Sequence, residues 1–530
     1  MTQVTDRATA PGAAATTWSS PAPLRPSPDF GPVDTLRGWL VTAVLTALAA
    51  VTRFSALNYP TDGGTPVFDE KHYAPQAWQM LTGGGVEDNP GYGLVVHPPV
   101  GKQMIALGEL LFGYNGWGWR FTAALAGTIL VLLVVRIVRR MTRSTLVGAI
   151  AGILMLADGV LYVSSRIGML DIFMALFVTA AFGCLIVDRD DVRQRLARAD
   201  AEGRIAMSRW GPRLGVRWWR FGAGVLLGLA CGTKWSGLYF IAAFGILSVC
   251  FDLTARRAYG VPSPCRGTAL RDVGPALYAL VLVPLGVYLS TYWAWFISET
   301  GVYRHAVGNQ IGTDGTWSFL PEALRSLWFY SGESLAFHSS LTNSAGNIHP
   351  WESKPWTWPM GLRPMLYYYA DNVASCEPGQ CVKAVMLIGT PAIWWISLPV
   401  LVWGLWRWAV RRDWRYGAVL AGYGAALLPW FLTLDRQMYF FYAVPLAPFL
   451  MMAVALVLGD IIGPARAAPH RIADPNAFLV PDERRSLGLL AVCLYLGLVV
   501  ANFIWLWPIM SAMAISPHEW QIRLWLPSWR

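Results

Sequence analysis

Apolar runs of about 20 residues recur along the chain, and that repetition limits the fold more than any other feature. A bilayer core is crossed by roughly 20 apolar residues in a helix. Eleven such runs are legible: about Leu36 to Leu57, Arg120 to Val138, Thr145 to Val163, Gly168 to Val187, a pair flanking Thr233-Lys234-Trp235, one ending near Phe296, Ala384 to Trp408, Ala418 to Leu434, Met438 to Leu458 and Leu487 to Trp507. The expected fold is an all-α polytopic membrane protein with about 11 spans and outward loops that form the active site. With 55% hydrophobic residues, 14% charged residues and 28 tryptophans, the chain is no ordinary soluble enzyme.

The charge pattern predicts the topology. A net charge of +10 could suggest nucleic acid, but the basic residues sit in loops between apolar runs. They cluster at Arg139 to Arg143, Arg189 to Arg220 and Arg256 to Arg271, which reads as the cytoplasmic side, with attraction to anionic membrane lipids as a by-product. An odd number of spans then puts the N-terminus in the cytoplasm and the C-terminus outside a plasma membrane. Residues 1–35, rich in Ala, Pro, Thr and Ser, read as a disordered tail. Residues 36–297 form an N-terminal catalytic membrane region that includes the acidic outward loop 58–117. Residues 298–381 form a Trp- and Pro-rich outward loop, and 382–530 a C-terminal membrane region. The first span is too long for a signal peptide and lacks a small-residue cleavage site, so it is expected to stay as an anchor. Within 58–117, Val100 to Phe112 reads as a short helix at the interface. Cys376 and Cys381 flank a Pro-Gly turn in the outward loop, where an oxidising exterior favours a disulfide. A metal pair is the rival reading, but the histidines show no ligand spacing with it.

The chemistry concentrates outside the first span, in Val67-Phe68-Asp69-Glu70-Lys71-His72-Tyr73. Two adjacent carboxylates bracketed by aromatics suit general-base work, because partial dehydration raises a carboxylate's proton affinity. A solvated acidic loop is the plainer reading. His97-Pro98-Pro99-Val100-Gly101-Lys102 follows, with two prolines to fix the backbone between His97 and Lys102. The alternative there is a rigid re-entry turn whose lysine reaches the headgroups. Arg120, Arg166, Asp171 and Lys234 lie near span ends, and Arg436 lies in a short outer loop. Charges at membrane depth are costly, so they serve a pathway, a pairing or a ligand, and converging cations suit a phosphate. For Arg166 and Asp171 a structural ion pair is equally open, and Lys234 could neutralise a carboxylate. His338, Asn343, Arg363 and the run His349-Pro350-Trp351-Glu352-Ser353-Lys354-Pro355-Trp356-Thr357-Trp358-Pro359 could wall a sugar or peptide cleft. Most of the tryptophans read as an anchoring belt.

Taken together and in order, these motifs resemble the protein O-mannosyltransferases, membrane enzymes that glycosylate Ser and Thr of secreted proteins. The resemblance rests on Phe68-Asp69-Glu70, His97-Pro98-Pro99-Val100-Gly101-Lys102, Arg120 with Ala123 and Gly127, Arg166 to Asp171, Gly232 to Leu238, and Ser353 to Pro359, and it covers nearly the whole chain. It departs from the eukaryotic pattern in lacking a β-trefoil insert, in Val95-Val96 before His97, and in the absence of the family's histidine near Arg436, so it looks like a bacterial type. The resemblance implies transfer of mannose from polyprenyl-phosphate mannose to unfolded secretory polypeptides by an inverting reaction. It assigns Asp69 as base, with Glu70 orienting acceptor or sugar. Arg120, Arg166, Arg436 and Lys102 become candidates for the donor phosphate, and His97, His349 and Trp356 for the cleft. Three readings of activity stay in play: this one, a related transferase acting on a glycolipid or cell-wall polymer, and a secondary transporter. Whether a divalent cation at Asp69 and Glu70 assists stays open, as does coupling to the secretion channel. No nucleic-acid partner is expected.

Overall fold

The computed structural model describes residues 34–89, 93–346, 348–371, 373, 376, 380–463 and 481–530. The tail expected over residues 1–35 lies almost entirely outside them. The first half builds α1 (Thr35–Phe54), α2 (Glu70–Thr82), α3 (Val100–Phe112), α4 (Gly116–Thr142), α5 (Thr145–Leu156), α6 (Gly159–Ser164), α7 (Asp171–Ala201), α8 (Trp218–Thr233), α9 (Gly237–Ala258) and the bent α10 (Pro264–Thr291). The second half adds α11 (Glu322–Ser340), strands β1 (Met365–Ala370) and β2 (Lys383–Leu387), α12 (Ser397–Ala409), α13 (Trp414–Leu427), α14 (Phe440–Ile462) and α15 (Pro481–Met510). Among the described residues, seven helices are long and apolar enough to cross a membrane: α1, α4, α7, α9, α10, α14 and α15. The other four expected spans coincide with the shorter helices α5–α6, α8, α12 and α13.

Local chemistry sets the boundaries. Asn115 caps α4 by accepting from the Trp117 and Gly118 amides, and Ser144 does the same for α5 from Val147. The expected span 145–163 breaks at Asp158, whose carboxylate accepts from the Leu161 amide to start α6 and from Trp394 Nε1 at 2.6 Å. Gly108 lets α3 lie directly on α4, since a Cβ there would sit 2.2 Å from the Gly118 carbonyl oxygen. Of the seven long apolar helices, α4, α7 and α14 have the most enclosed apolar stretches, as helices at the centre of a bundle do.

Four expectations change. Residues 384–387, read as the start of a span, belong to β2, which pairs antiparallel with β1 (Met365 opposite Leu387, Ala370 opposite Lys383). A short apolar run cannot by itself distinguish strand from helix. The loop expected from Arg189 shrinks, because α7 continues to Ala201. The acidic loop holds the whole of α2 as well as α3, and the region 298–381 holds the 19-residue α11. Cys376 and Cys381 are joined by a disulfide near the end of the β1–β2 connection.

The helices carry two kinds of charge to opposite ends. Asp171 opens α7 and Lys234 closes α8, whereas Asp188 of α7 meets Arg217 before α8 and Asp252 of α9 meets Arg217 and Arg220. Asp171 and Asp188 are about 26 Å apart along one helix at 1.5 Å per residue.

Candidate active site

The site begins in a strained turn. Phe68 has φ 51°, a left-handed conformation that costs a bulky residue about 1–2 kcal/mol. Glu70 holds it. The Glu70 amide donates to the Val67 carbonyl at 3.1 Å, while Glu70 Oε2 accepts from the Val67 amide, also at 3.1 Å. The Phe68 ring stacks on Tyr367 of β1 with centroids 4.4 Å apart. Being adjacent at a helix start, the two carboxylates diverge. Glu70 is fully buried, and Asp69 is half-buried.

Their environments separate them chemically. Glu70 accepts from Arg120 Nε and Nη2, both at 2.7 Å, and from the Gly168 amide at 2.6 Å. Its lone pairs are taken. Among the described residues Asp69 has no such clasp. Burial lifts its carboxyl above the usual range, and the charges of His72, Lys234 and Lys71 oppose that. A carboxylate with raised proton affinity and no bonded cation is suited to take a proton.

Beside it, Lys234 Nζ donates to both oxygens of Asp171 at 2.8 Å. The C-terminal end of α8 favours the cation and the N-terminal end of α7 the anion. Both residues line a cavity of about 1230 Å³, together with His97, His338, Arg436 and Tyr442. Its remaining wall is largely apolar, with Leu238, Ile241, Leu285, Leu289, Leu324 and Leu335 from α9, α10 and α11.

Arg436 is placed by its neighbours. Lys354 Nζ donates to the carbonyls of Leu434 (2.9 Å) and Arg436 (3.0 Å) and to Asn343 Oδ1 (3.0 Å), fixing the loop backbone. The guanidinium lies over Trp430 and Tyr442, 5.7 and 5.6 Å from the ring centres. Nη2 reaches His338 Nδ1 at 3.3 Å, while the buried Nε meets no partner among the described residues. His338 Nε2 lies 3.1 Å from the Val96 carbonyl oxygen. Donating there and accepting from Arg436 fixes one neutral tautomer. Burial, then the Arg436 charge, pushes the imidazole down to about 4. His97, with its ring 5.1 Å from that of His338, is also held well below the usual histidine range by burial.

This predicts a pH signature. Between about pH 4 and the ordinary histidine value near 6.5, the unfolded chain binds a proton at His338 that the folded chain does not. The stability contributed by neutral His338 is therefore complete above about pH 6.5 and declines as pH falls toward 4. The stability difference between wild type and His338→Asn should shrink over that window; a pH-independent difference would refute the assignment.

A family description, "Dolichyl-phosphate-mannose-protein mannosyltransferase", matches residues 43–298, and "C-terminal four TMM region of protein-O-mannosyltransferase" matches residues 323–529. The polyprenol-phosphate-mannose–protein mannosyltransferase of Mycolicibacterium smegmatis (strain MKD8) is 61% identical over 96% of each chain. The chain belongs to the protein O-mannosyltransferase family. The enzyme of the same name from Corynebacterium glutamicum is 45% identical over 92% of this chain and 93% of its own. The fold also matches the Saccharomyces cerevisiae protein O-mannosyltransferase Pmt1-Pmt2 complex bound to the sugar donor, with a TM-score of 0.67 at 16% identity, covering 94% and 93% of the two chains.

Against this mannosyltransferase fold, the sequence-derived site residues divide. His97, Asp171, Lys234 and Arg436 converge on the cavity, and Asp69 lies within electrostatic reach of Lys234 and Asp171. Arg120 does not present itself to a phosphate: it is fully buried on Glu70 and also donates to the Leu57 and Pro60 carbonyls. Glu70, saturated by these bonds, is not placed to orient a substrate, and with its oxygens taken the Asp69–Glu70 pair does not fit a divalent cation. No group of three His, Cys, Asp or Glu is arranged to hold a metal among the described residues. Among the described residues Arg166 pairs with no carboxylate; it donates to the Thr52, Arg53, Ser55 and Ala56 carbonyls, capping α1. Lys102 is buried in an ion pair with Glu87 and also donates to the His97 carbonyl at 2.9 Å. Trp356 is 56% exposed and lines no part of the cavity. His349 packs edge-on against Tyr439, 5.3 Å away, outside the cavity wall. Sequence reasoning missed Tyr367 and Glu87, and it placed His338 only in a cleft wall, without its contact to Arg436. Only the Tyr367-Tyr368-Tyr369 run offered a signal.

Proposed function

We propose that the protein transfers mannose from polyprenyl-phosphate mannose to Ser and Thr hydroxyls of unfolded secretory polypeptides, with inversion at the anomeric carbon. The observation that carries this is the contrast between the unclasped Asp69 and the Lys234 and Arg436 cations in one adjoining apolar cavity. Apolar walls suit a polyprenyl chain. A guanidinium with an unengaged buried Nε suits its phosphate.

In the reaction, the acceptor oxygen forms a bond to C1 of mannose as the bond from C1 to the phosphate oxygen breaks. The hydroxyl proton passes to Asp69, and polyprenyl phosphate leaves with its charge. Phosphate is already a good leaving group, so cationic stabilisation replaces the second carboxylic acid of an inverting glycosidase. Arg436 takes the phosphate, and Lys234, held by Asp171, adds a second positive charge.

The same reading includes an orientation. Basic residues end α4, α7 and α9; taken as the cytoplasmic side, they support Asp69 at the outer face of a plasma membrane with the N-terminus inside. Acceptors must arrive unfolded there, so delivery from the secretion channel is the natural supply.

The test is transfer of labelled mannose from polyprenyl-phosphate mannose to a Ser/Thr-rich peptide by the purified protein. Label on peptide supports the reading, and label only on glycolipid or polymer moves the acceptor class. Arg436→Lys is expected to raise the donor KM about tenfold, since a lysine cannot reproduce the guanidinium's fork of donors. An unchanged donor KM would remove Arg436 from the phosphate site.

A further inference from the structure

The acceptor must approach Asp69 from a direction that leaves the cavity to the donor. A line of aromatic contacts runs past the turn that carries Asp69. His349 packs on Tyr439, Tyr439 stacks on Phe441 at 5.3 Å, Phe441 meets Phe68 edge-on at 6.1 Å, and Phe68 stacks on Tyr367. The line ends at β1.

That strand has an unpaired edge. The sheet contains β1 and β2 only, and β2 is covered on its far side by the bridge of Val382 to Ile515 and by the Ala512 amide donating to the Ala384 carbonyl at 3.0 Å. No backbone bond or bridge joins Met365–Ala370 to any described segment other than β2. An antiparallel strand turns alternate N–H and C=O groups away from its partner, so β1 offers a row of main-chain donors and acceptors that no described residue claims. Such rows pair readily with an extended chain unless they are protected. The register slips between Leu366 and Tyr368, which makes Tyr367 a bulge residue. Bulges re-aim side chains, often next to active sites. Here the bulge sends Tyr367 into the protein at 4% exposure, with its ring on Phe68 and its hydroxyl within electrostatic reach of Asp171, Asp69 and Glu70. That hydroxyl is buried without a hydrogen-bond partner among the described residues. A buried, unsatisfied hydroxyl is costly, and a polar ligand that reaches it recovers that cost.

We propose that the acceptor polypeptide docks as an added β-strand on the free edge of β1, with the side chain of its modified residue on the Tyr367 face and directed at Asp69. This rests on the protein-mannosylating reading above. Main-chain pairing explains how one site accepts many sequences: the edge bonds to peptide groups, which every unfolded acceptor carries, and leaves side chains largely unread. It also fixes the modified residue. Only alternate side chains of an added strand share the Tyr367 face, so a neighbouring Ser or Thr points away from the base.

The test uses the full-length protein in lipid nanodiscs, polyprenyl-phosphate mannose and a set of short peptides with a single Thr. Each peptide carries one N-methylated amide, moved residue by residue from three before the Thr to three after it. Amides that bond to β1 should lose about tenfold or more in kcat/KM when methylated, and those between them should change little, giving a period of two. A flat profile, or one declining smoothly from the Thr, overturns the edge-docking inference while the reaction stands. An unmethylated peptide that takes no mannose overturns the protein-mannosylating reading and the inference with it.

Discussion

Asp69→Asn is expected to lower mannosyl transfer by about 10³-fold while donor binding and thermal stability stay near wild type. The magnitude is that of a lost general base, typically 10²–10⁴. The selectivity follows from the surroundings. Among the described residues no cation is bonded to Asp69, so the amide leaves no buried partner there uncompensated, unlike a change at Glu70 or Asp171. The amide has nearly the same shape and keeps an oxygen toward the acceptor, but it cannot take the proton. The acid limb of the rate profile should carry the same signature. The rate rises as pH rises through the folded value of Asp69, which burial places above that of an ordinary aspartate. Asp69→Glu should retain a pH-dependent residue of activity because it keeps the base, though displaced by a methylene. Single-turnover transfer with saturating donor, alongside donor binding measured separately, checks all three. An Asn variant with wild-type turnover removes Asp69 as base, and one that no longer binds donor makes it a ligand instead.

What the sequence reveals and what it conceals differ in kind. Spans are legible because apolar periodicity is local, and ten of the eleven expected runs fall on helices without reassignment of their starts to another element. The exception, 384–408, begins in a strand because Lys383-Ala-Val-Met-Leu387 is too short for its pattern to exclude either state. Asp69 was legible because a carboxylate pair among aromatics outside a span is chemically unusual. The roles of the cations were not. A basic residue near a span end looks the same whether it meets substrate, carboxylate or carbonyl, and the answer lies far along the chain. Arg120 finds Glu70 50 residues away, Lys234 finds Asp171 at 63, and Arg166 finds the end of α1 more than 100 residues back. Of the four cations assigned to phosphate by resemblance, three turn out to hold backbone or carboxylate in place. Arg436 differs from them, because its neighbours, Trp430, Tyr442 and neutral His338, take little of its hydrogen-bonding capacity, and the proposed phosphate contact rests on that. The site is therefore built mostly from positioning residues. The paired and capping charges set the turn at Phe68 and the ends of α1, α7 and α8, and few side chains remain to touch substrate.

That distinction gives Glu70 and Arg120 the largest expected effect on stability. Glu70→Ala strands a guanidinium that is fully buried and removes the acceptor for the Val67 and Gly168 amides. Breaking a buried pair by removing one partner costs about 3–5 kcal/mol, because the remaining charge is uncompensated. The loss should appear as a markedly lower Tm in nanodiscs and as poor recovery of folded protein. Activity should fall with it, since the Phe68 turn that presents Asp69 loses its brace. Arg120→Lys should fare little better: one ammonium cannot span two carboxylate oxygens and the Leu57 and Pro60 carbonyls at once. The double change Glu70→Gln with Arg120→Met removes both charges. It should recover a substantial part of the stability lost in Glu70→Ala, because replacing both members of a buried pair is far milder than orphaning one. The decisive comparison is with Asp69→Asn. If Glu70→Ala unfolds at the wild-type temperature, binds donor normally and is inactive, then Glu70 acts on substrate and its pairing with Arg120 is incidental. If it loses stability and the double variant regains it, the carboxylate pair divides its work: one residue carries the proton, and the other holds the turn that aims it.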